Sequence, residues 1–194
     1  FKVSYSRGFN PQPKFSFGVA LPVGLESEAE YADVWLDEWV SPEDFIQACN
    51  EHLPDGCKLL EAKSIPMNAP SFAPFITLSV YEGLLPKVFV RHSLHEIEKA
   101  LSDENALRLA CRLNSGSVVV AHSVSVVDIG ETFIMHLELP DGQKSHCRPV
   151  ELLRAALNLS DDALAQLRIV KRATLCKVNG MLVSPMALPD AHVE

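Results

Sequence analysis

The hydrophobic and polar positions in the first third of the chain predict a β–α–β order. Apolar and polar residues alternate in FKVSYS (1–6) and in EYADVWLDEWV (30–40), as they do in half-buried strands. A helix is predicted over SPEDFIQACNEHL (41–53), because its first serine is a favourable N-cap and the following proline suits the first turn. The segment CKLLEAKSI (57–65) is the next predicted strand.

The pattern after a proline-rich connection, IPMNAPSFAP (65–74), predicts four strands and two main helices. Ser93 and Glu96 have the spacing of a capping box, which indicates where the first of these helices begins. Gly130 is the predicted turn of a hairpin, and residues 179–194 are predicted to form a loose tail. The predicted strands cover 75–83, 116–130, 131–142 and 168–178, and the predicted helices cover 92–102 and 148–159.

These elements place the protein in the α+β class. The second part has the order β–α–β–β–α–β, which is the ferredoxin-like order, and the first part corresponds to a partial copy of it. We therefore predict two ferredoxin-like halves (βαβ and βαββαβ) with antiparallel sheets, of which the first half is incomplete. The predicted division is an N-terminal half at 1–66, a C-terminal half at 67–182 and a tail at 183–194.

Charge is distributed unevenly along this chain of 194 residues, whose net charge is -8. Residues 26–61 contain eleven acidic residues and one base, Lys58, whereas no acidic residue precedes Glu26. An acidic surface repels phosphate, so coating of nucleic acid by the whole protein is disfavoured. A local basic binding site remains compatible with this distribution.

Composition indicates a globular protein of the cytoplasm. Apolar residues make up 47% of the chain and charged residues 22%, and no apolar run reaches the roughly 20 residues of a transmembrane helix. No basic and then apolar leader is present, so we expect neither secretion nor membrane attachment. The five cysteines include no C-x-x-C pair, which favours reduced, mostly buried thiols over a zinc or iron–sulfur site.

The acid-free opening stretch contains SYSRGFNPQPKFSFGVALPVG (4–24). Its prolines restrict the backbone, so the loop loses little entropy when it binds a partner. Its arginine can make a forked contact to carboxylate or phosphate, and its phenylalanines can stack on bases or enter a partner's pocket. The alternative is that the phenylalanines anchor the loop to the core and Asn10 hydrogen-bonds the turn. The predicted binding residues are Arg7, Phe9, Asn10, Pro11, Pro13, Lys14 and Phe15.

Catalytic and metal-binding patterns are weak. His92 and His95 have i, i+3 spacing without a third ligand, and the alternating glutamates of ESEAE (26–30) favour a solvated edge over a cation site. His146 and Cys147 adjoin a predicted helix start, where a thiolate would be stabilised, but a buried neutral cysteine is favoured. We therefore predict no metal site and no cofactor, and we assign no catalytic residue.

The stretch SRGFNPQPKFSFGVALPVGLESEAEYADV (6–34) resembles the signature of the bacterial radical-SAM-associated domain, a domain of unknown function. The diagnostic pattern is G-F-N-P-x-P-x-x-S-F-G followed by A-L-P-x-G-x-E-S. The segments RPVELLRAAL (148–157) and RIVKRATLCKV (168–178) resemble the family's closing helix and strand more weakly. The resemblance implies that a basic strand and helix normally precede this sequence, so that the chain is N-terminally truncated.

The same resemblance implies a partner protein and a biological role. Members are often fused to, or encoded beside, a cobalamin-binding radical-SAM protein, and they occur near a ribonuclease of the E/G type. These associations imply RNA modification or ribosome-linked processing. The sequence departs from the family at 111–131, where a lysine-rich turn is replaced by a stretch with Arg112 as its only firm positive charge. An RNA site that relies on that turn is therefore weakened here.

Three functional hypotheses follow. In the first, the chain is an accessory domain without catalytic activity of its own, which binds RNA or a radical-SAM enzyme through the loop at 5–18. In the second, it is an RNA-modifying enzyme with its site in the cleft between the two halves, although a fold does not determine a function. In the third, it is a protein-only adaptor without RNA contact, which the acidic segment favours.

Overall fold

The computed structural model describes residues 1–113, 123–142 and 145–189. Within these ranges the chain has ten strands and five α-helices, which confirms the predicted α+β class. The strands are β1 (Phe15–Phe17), β2 (Glu26–Ser27), β3 (Ala32–Val34), β4 (Ile76–Pro86), β5 (Cys111–Leu113), β6 (Ser123–Asp128), β7 (Thr132–Pro140), β8 (Ser145–Cys147), β9 (Arg168–Val178) and β10 (Met181–Val183). The helices are α1 (Pro42–Asn50), α2 (Leu94–Leu101), α3 (Glu104–Ala110), α4 (Pro149–Leu157) and α5 (Asp161–Ala165).

A six-stranded sheet forms the centre of the fold. Its main path has the order β10-β9-β4-β7-β6 with antiparallel neighbours, and β2 adds to β9 in parallel, so the sheet is mixed. Two smaller antiparallel sheets pair β1 with β3 and β5 with β8. The β6–β7 hairpin turns at Gly130 as predicted, where a φ of +90° favours glycine.

The main hydrophobic core lies between this sheet and helices α2 to α5. Leu85 of β4, Met135 of β7 and Leu152 of α4 are all 0% exposed within it. A smaller cluster contains Phe72 and Cys176 and lies outside the main core. No residue of α1 is fully buried, and the helix contributes no side chain to either cluster.

Local capping signals place the helix starts where the sequence predicts them. The Ser41 hydroxyl accepts a hydrogen bond from the Asp44 amide at 3.1 Å and caps α1. At α2, the Glu96 carboxylate accepts the Ser93 amide at 2.7 Å and completes the predicted capping box. These bonds satisfy amide groups that have no partner inside the helix, so the helix ends are fixed locally.

Two predicted elements differ in the structure. Residues 57–65 form no strand, because the Asn50 side chain bonds both backbone groups of Leu59. The Leu59 backbone amide donates to the Asn50 side-chain oxygen at 2.8 Å, and the Asn50 side-chain nitrogen donates to the Leu59 carbonyl at 3.0 Å. The predicted loose tail is also wrong over part of its length. Its residues Met181–Val183 form β10 on the edge of β9, and a 3-10 turn follows at Pro185–Ala187.

The structure does not confirm two ferredoxin-like halves. The strand predicted over 30–40 is limited to β3, and the one predicted over 1–6 is reduced to isolated bridges at Val3 and Tyr5. Strands of the first 66 residues either pair among themselves or add to β9. The predicted domain boundaries stay predictions, and part of the strand predicted over 116–130 lies outside the described residues.

None of the helices in the described ranges has the length and apolar character that a bilayer crossing requires.

Candidate functional site

The predicted binding loop is the end of a hairpin that three backbone segments hold together. The Ser4 amide donates to the Trp35 carbonyl at 2.8 Å, the Trp35 amide donates to the Lys14 carbonyl at 3.2 Å, and the Lys14 amide donates to the Ser4 carbonyl at 2.8 Å. These bonds form a closed ring between three distant parts of the sequence. Backbone hydrogen bonds between these three segments therefore fix the base of the loop.

A second pair of bonds closes the tip. The Ser6 amide donates to the Gln12 carbonyl at 2.8 Å, and the Gln12 amide donates to the Ser6 hydroxyl at 2.9 Å. Residues 7–11 between them are exposed, and the adjoining Pro13 forms a bridge opposite Tyr5. The two hydrogen bonds between Ser6 and Gln12 support the predicted stiffness of the loop, in which prolines at 11 and 13 also fix φ.

The aromatic side chains of the loop face solvent. Phe9 has a relative exposure of 105%, Phe17 of 66% and Phe15 of 43%, so these phenylalanines do not anchor the loop in the core. The rings of Phe15 and Phe17 stack on each other with centroids 5.6 Å apart. Asn10 is exposed and makes no side-chain hydrogen bond within the part of the chain that the structure describes. The anchoring alternative is therefore wrong for these side chains.

A shallow depression of about 410 Å³ lies beside this aromatic surface. Its walls combine two aromatic rings with a lysine and the polar groups that close the loop tip. Trp35 is not among the binding residues that the sequence predicts. The pairing of β1 with β3 brings it there, and no local pattern in the sequence specifies that register. The lining residues are Ser6, Gln12, Pro13, Lys14, Phe15 and Trp35.

The electrostatics of the hairpin are less uniform than the acid-free sequence suggests. Arg7 and Lys14 form no salt bridge with any residue in the described ranges. Asp37, however, lies at the hairpin base, where its carboxylate accepts the Ser4 hydroxyl at 2.6 Å and pairs with Lys2 at 3.5 Å. The Ser4 hydrogen bond, followed by Lys2 and Lys14, lowers the pKa of Asp37. Arg7 at the tip is thus available to an external anion, whereas Lys14 at the base also interacts with the charged carboxylate of Asp37.

The alternating glutamates after the loop lie on an exposed edge, as predicted, and they are also paired. Each glutamate contacts a basic side chain of β9, and these contacts hold residues 26–30 against β9 of the central sheet. Among the described residues no group of three potential ligands could hold a metal ion, so the cation site has no support here. The three pairs are Glu26 with Arg168, Glu28 with Arg172, and Glu30 with Lys171.

One of these pairs continues into a buried polar network. Lys171, whose side chain is 3% exposed, lies 3.1 Å from Glu30 and 3.6 Å from Asp141. Asp141 also accepts the Ser79 hydroxyl at 2.5 Å and contacts His146 Nδ1 at 2.8 Å. Burial raises the pKa of Asp141, but the His146 and Ser79 hydrogen bonds and the Lys171 charge outweigh burial, so its pKa is lowered. The network joins the N-terminal segment to the central sheet.

The remaining candidate nucleophile is shielded. Cys147 is 0% exposed, and contact with Cys111 together with burial raises the pKa of its thiol, which agrees with the predicted neutral cysteine. Asp141 is 1% exposed and Ser79 is 0% exposed, so a substrate cannot reach either group in this conformation. The aromatic hairpin, in contrast, is exposed to solvent and accessible to a ligand.

Comparison with known proteins gives one assignment. No curated protein and no solved structure matches this chain. Residues 1–149, which include the hairpin, the alternating glutamates and Asp141 but not Lys171, match a bacterial protein family. The chain belongs to this family, which is described as an uncharacterized protein conserved in bacteria (DUF2344).

Proposed function

We propose that this chain is an RNA-binding accessory domain that works with a cobalamin-binding radical-SAM enzyme in RNA modification or ribosome-linked processing in the cytoplasm. The observation that carries the RNA-binding part is the exposed set of aromatic rings beside two cations without salt bridges. The enzyme partner rests on the sequence resemblance of residues 6–34 alone.

The hairpin provides the two kinds of contact that single-stranded RNA uses. Phe9 and the Phe15–Phe17 stack present ring faces on which bases can stack, each stacked base contributing about 1–3 kcal/mol. Arg7 and Lys14 can reach the phosphates between those bases. Because the loop is closed at its base and tip, little conformational entropy is lost on binding.

The depression at the loop base is suited to a single nucleobase. Phe15 and Trp35 supply aromatic surface, and Gln12 and Lys14 supply hydrogen-bonding groups at the rim. A base that stacks there would quench the fluorescence of Trp35. The chain has two tryptophans, so a Trp39→Phe variant isolates this signal. Quenching by single-stranded RNA that is absent with an RNA lacking bases would support the assignment.

An accessory role is favoured over catalysis by the burial of the polar network at Asp141, which leaves Ser79 and Asp141 out of reach of a substrate. We further infer that the central sheet is ferredoxin-like, since β4, β6, β7 and β9 follow in the spatial order β9-β4-β7-β6. This arrangement supplies the surface that carries the N-terminal hairpin and needs no active-site cleft.

The RNA test is a titration of labelled single-stranded RNA monitored by fluorescence anisotropy at several salt concentrations. We expect Arg7→Ala/Lys14→Ala to reduce the slope of log affinity against log salt by about 2, because two phosphate contacts are lost. Phe9→Ala should weaken binding by about 1–3 kcal/mol. The matched controls are Arg91→Ala/Lys99→Ala, which removes two exposed basic side chains elsewhere, and Leu109→Ala, which removes an exposed apolar side chain.

A protein-only adaptor is the second candidate, and the net charge of -8 is the observation that favours it. A pull-down from the source cells, with and without ribonuclease, separates the two. RNA together with a radical-SAM enzyme that leaves on nuclease treatment supports RNA binding. A radical-SAM enzyme that stays bound after nuclease, combined with no RNA affinity in the titration, supports the adaptor and overturns the RNA proposal.

A further inference from the structure

Two of the five cysteines lie directly opposite each other. In the β5–β8 pair, Cys111 is the register partner of Cys147. The Arg148 backbone amide donates to the Ala110 carbonyl at 3.4 Å, so the adjacent residues Ala110 and Arg148 are the hydrogen-bonded pair of the ladder. The cysteines therefore occupy a non-hydrogen-bonded pair. In such pairs the Cα atoms are about 4.5 Å apart, which falls within the range of about 4.4–6.8 Å that a disulfide spans.

We propose that Cys111 and Cys147 form an oxidisable dithiol that closes to a disulfide when the protein meets hydrogen peroxide. Both side chains are buried, at 6% and 0% exposure, and they stand at paired positions of the β5–β8 ladder. This burial restricts access to an oxidant as small as hydrogen peroxide and excludes bulky disulfides. The proposal is independent of RNA binding, since the hairpin contributes no residue to this site.

The two thiols have different roles in the reaction. Contact with Cys147 lowers the pKa of Cys111, whereas the same contact and burial raise the pKa of Cys147. Cys111 also has the larger exposure, so it reacts first. Its thiolate attacks one oxygen of the peroxide and the O–O bond breaks, which gives a sulfenic acid and hydroxide.

The second step closes the disulfide. The Cys147 sulfur attacks the Cys111 sulfur, the S–O bond of the sulfenic acid breaks, and hydroxide leaves. The two released hydroxides take up the two thiol protons and become water. In total, two thiols are oxidised and one peroxide is reduced, giving one disulfide and two waters. A thiol reductant such as dithiothreitol reverses the change by thiol–disulfide exchange.

The test is peptide mapping of the full chain after peroxide treatment. The folded protein is exposed to hydrogen peroxide, free thiols are blocked with N-ethylmaleimide under denaturing conditions, and trypsin digestion follows without reduction. We expect the peptide 109–112, which contains Cys111, linked to the peptide 145–154, which contains Cys147, with a loss of two hydrogens. The link should disappear after dithiothreitol. Full alkylation of both cysteines, or their conversion to sulfinic acids without a link, would overturn the proposal.

Two variants sharpen the result. Cys57→Ser removes an exposed cysteine elsewhere and should leave the linked peptide unchanged. Cys147→Ser should abolish the link and leave Cys111 as a sulfenic acid that a dimedone probe labels. If Cys147→Ser does not fold, the wild-type mapping still decides the question, because the linked peptide is observed without any substitution. A link that joins Cys111 to another cysteine instead of Cys147 would contradict the assignment.

Discussion

The N-terminal hairpin region and the sheet–helix core are held together in different ways. Of the first 66 residues only Ser4 and Ala29 are fully buried, whereas the main core buries 22 residues, all between Tyr81 and Ile169. The N-terminal region depends on backbone hydrogen bonds and on ion pairs to β9. Its aromatic residues are consequently available to solvent, while the core uses its apolar side chains for packing. This difference shows how one chain can combine a stable scaffold with an exposed binding surface.

Residues 28–30 meet β9 through polar contacts. Thr174 donates its hydroxyl to the Ala29 carbonyl at 2.8 Å, and the Glu28 amide donates to the Lys171 carbonyl at 2.9 Å. Lys171 then contacts Glu30 on one side and Asp141 on the other. Hydrogen bonds are directional, and those between charged groups are strong, so they orient this segment on β9. The core stabilises the hairpin through β9.

The largest effect is expected from Lys171→Met. The substitution leaves the buried Asp141 and the half-exposed Glu30 without the Lys171 cation. Breaking a buried ion pair in this way lowers the free energy of unfolding by about 3–5 kcal/mol. Urea denaturation measures this loss. Because Lys171 joins both regions, the hairpin should also become less ordered, which Trp35 fluorescence reports in a Trp39→Phe background.

A double variant provides the control for that prediction. Lys171→Met/Asp141→Asn removes the uncompensated charge, so it should be more stable than Lys171→Met alone. If the double variant loses as much stability as the sum of the two single variants, the coupling between Lys171 and Asp141 is absent and the network does not join the regions.

A pair of truncations compares the regions directly. Leu137→Ala in β7 removes a side chain with 0% exposure and should destabilise the protein by about 2–5 kcal/mol, because a cavity forms in the core. Phe17→Ala removes a larger side chain with 66% exposure and should change stability by no more than about 0.5 kcal/mol. Urea denaturation of both variants gives the comparison. A large loss for Phe17→Ala would mean that the hairpin aromatics pack against something in solution.

The sequence predicts those elements that local chemistry determines. The Ser41 cap, the capping box at Ser93 and the turn at Gly130 each depend on residues within four positions of one another, and all three are observed. The same local reasoning fails at 57–65, where a strand is predicted but none is observed, and the Asn50 side chain bonds the backbone instead.

Long-range pairing explains what the sequence does not predict. The Glu30–Lys171 contact joins residues 141 positions apart, and the parallel pairing of β2 with β9 has no local signal. The candidate site shows the same limit. Its loop residues form one contiguous stretch and are found from composition, whereas Trp35 enters the site only through backbone pairing with Lys14.

The smallest expected effect is an acid-induced opening of the hairpin base. The pKa of Asp37 is lowered by the Ser4 hydrogen bond, Lys2 and Lys14, so its stabilising contribution is present above the unfolded pKa of about 3.9. It is lost as pH falls through the lower pKa of the folded state, where the carboxylate is protonated and accepts the Ser4 hydroxyl less strongly. Trp35 fluorescence in the Trp39→Phe background should change in this window at a pH where the far-ultraviolet circular dichroism of the core helices is still intact.

The control for the acid opening is Asp37→Asn, which cannot titrate. It should have the acid-state Trp35 fluorescence at neutral pH and no transition of its own in the window below about 3.9. Asp141 in the core network also has a lowered pKa, so its contribution to the stability of the core is lost in the same range of pH. If Trp35 fluorescence and circular dichroism change together in the wild type, the hairpin has no independent acid transition. The two regions would then unfold as one cooperative unit, in spite of their different packing.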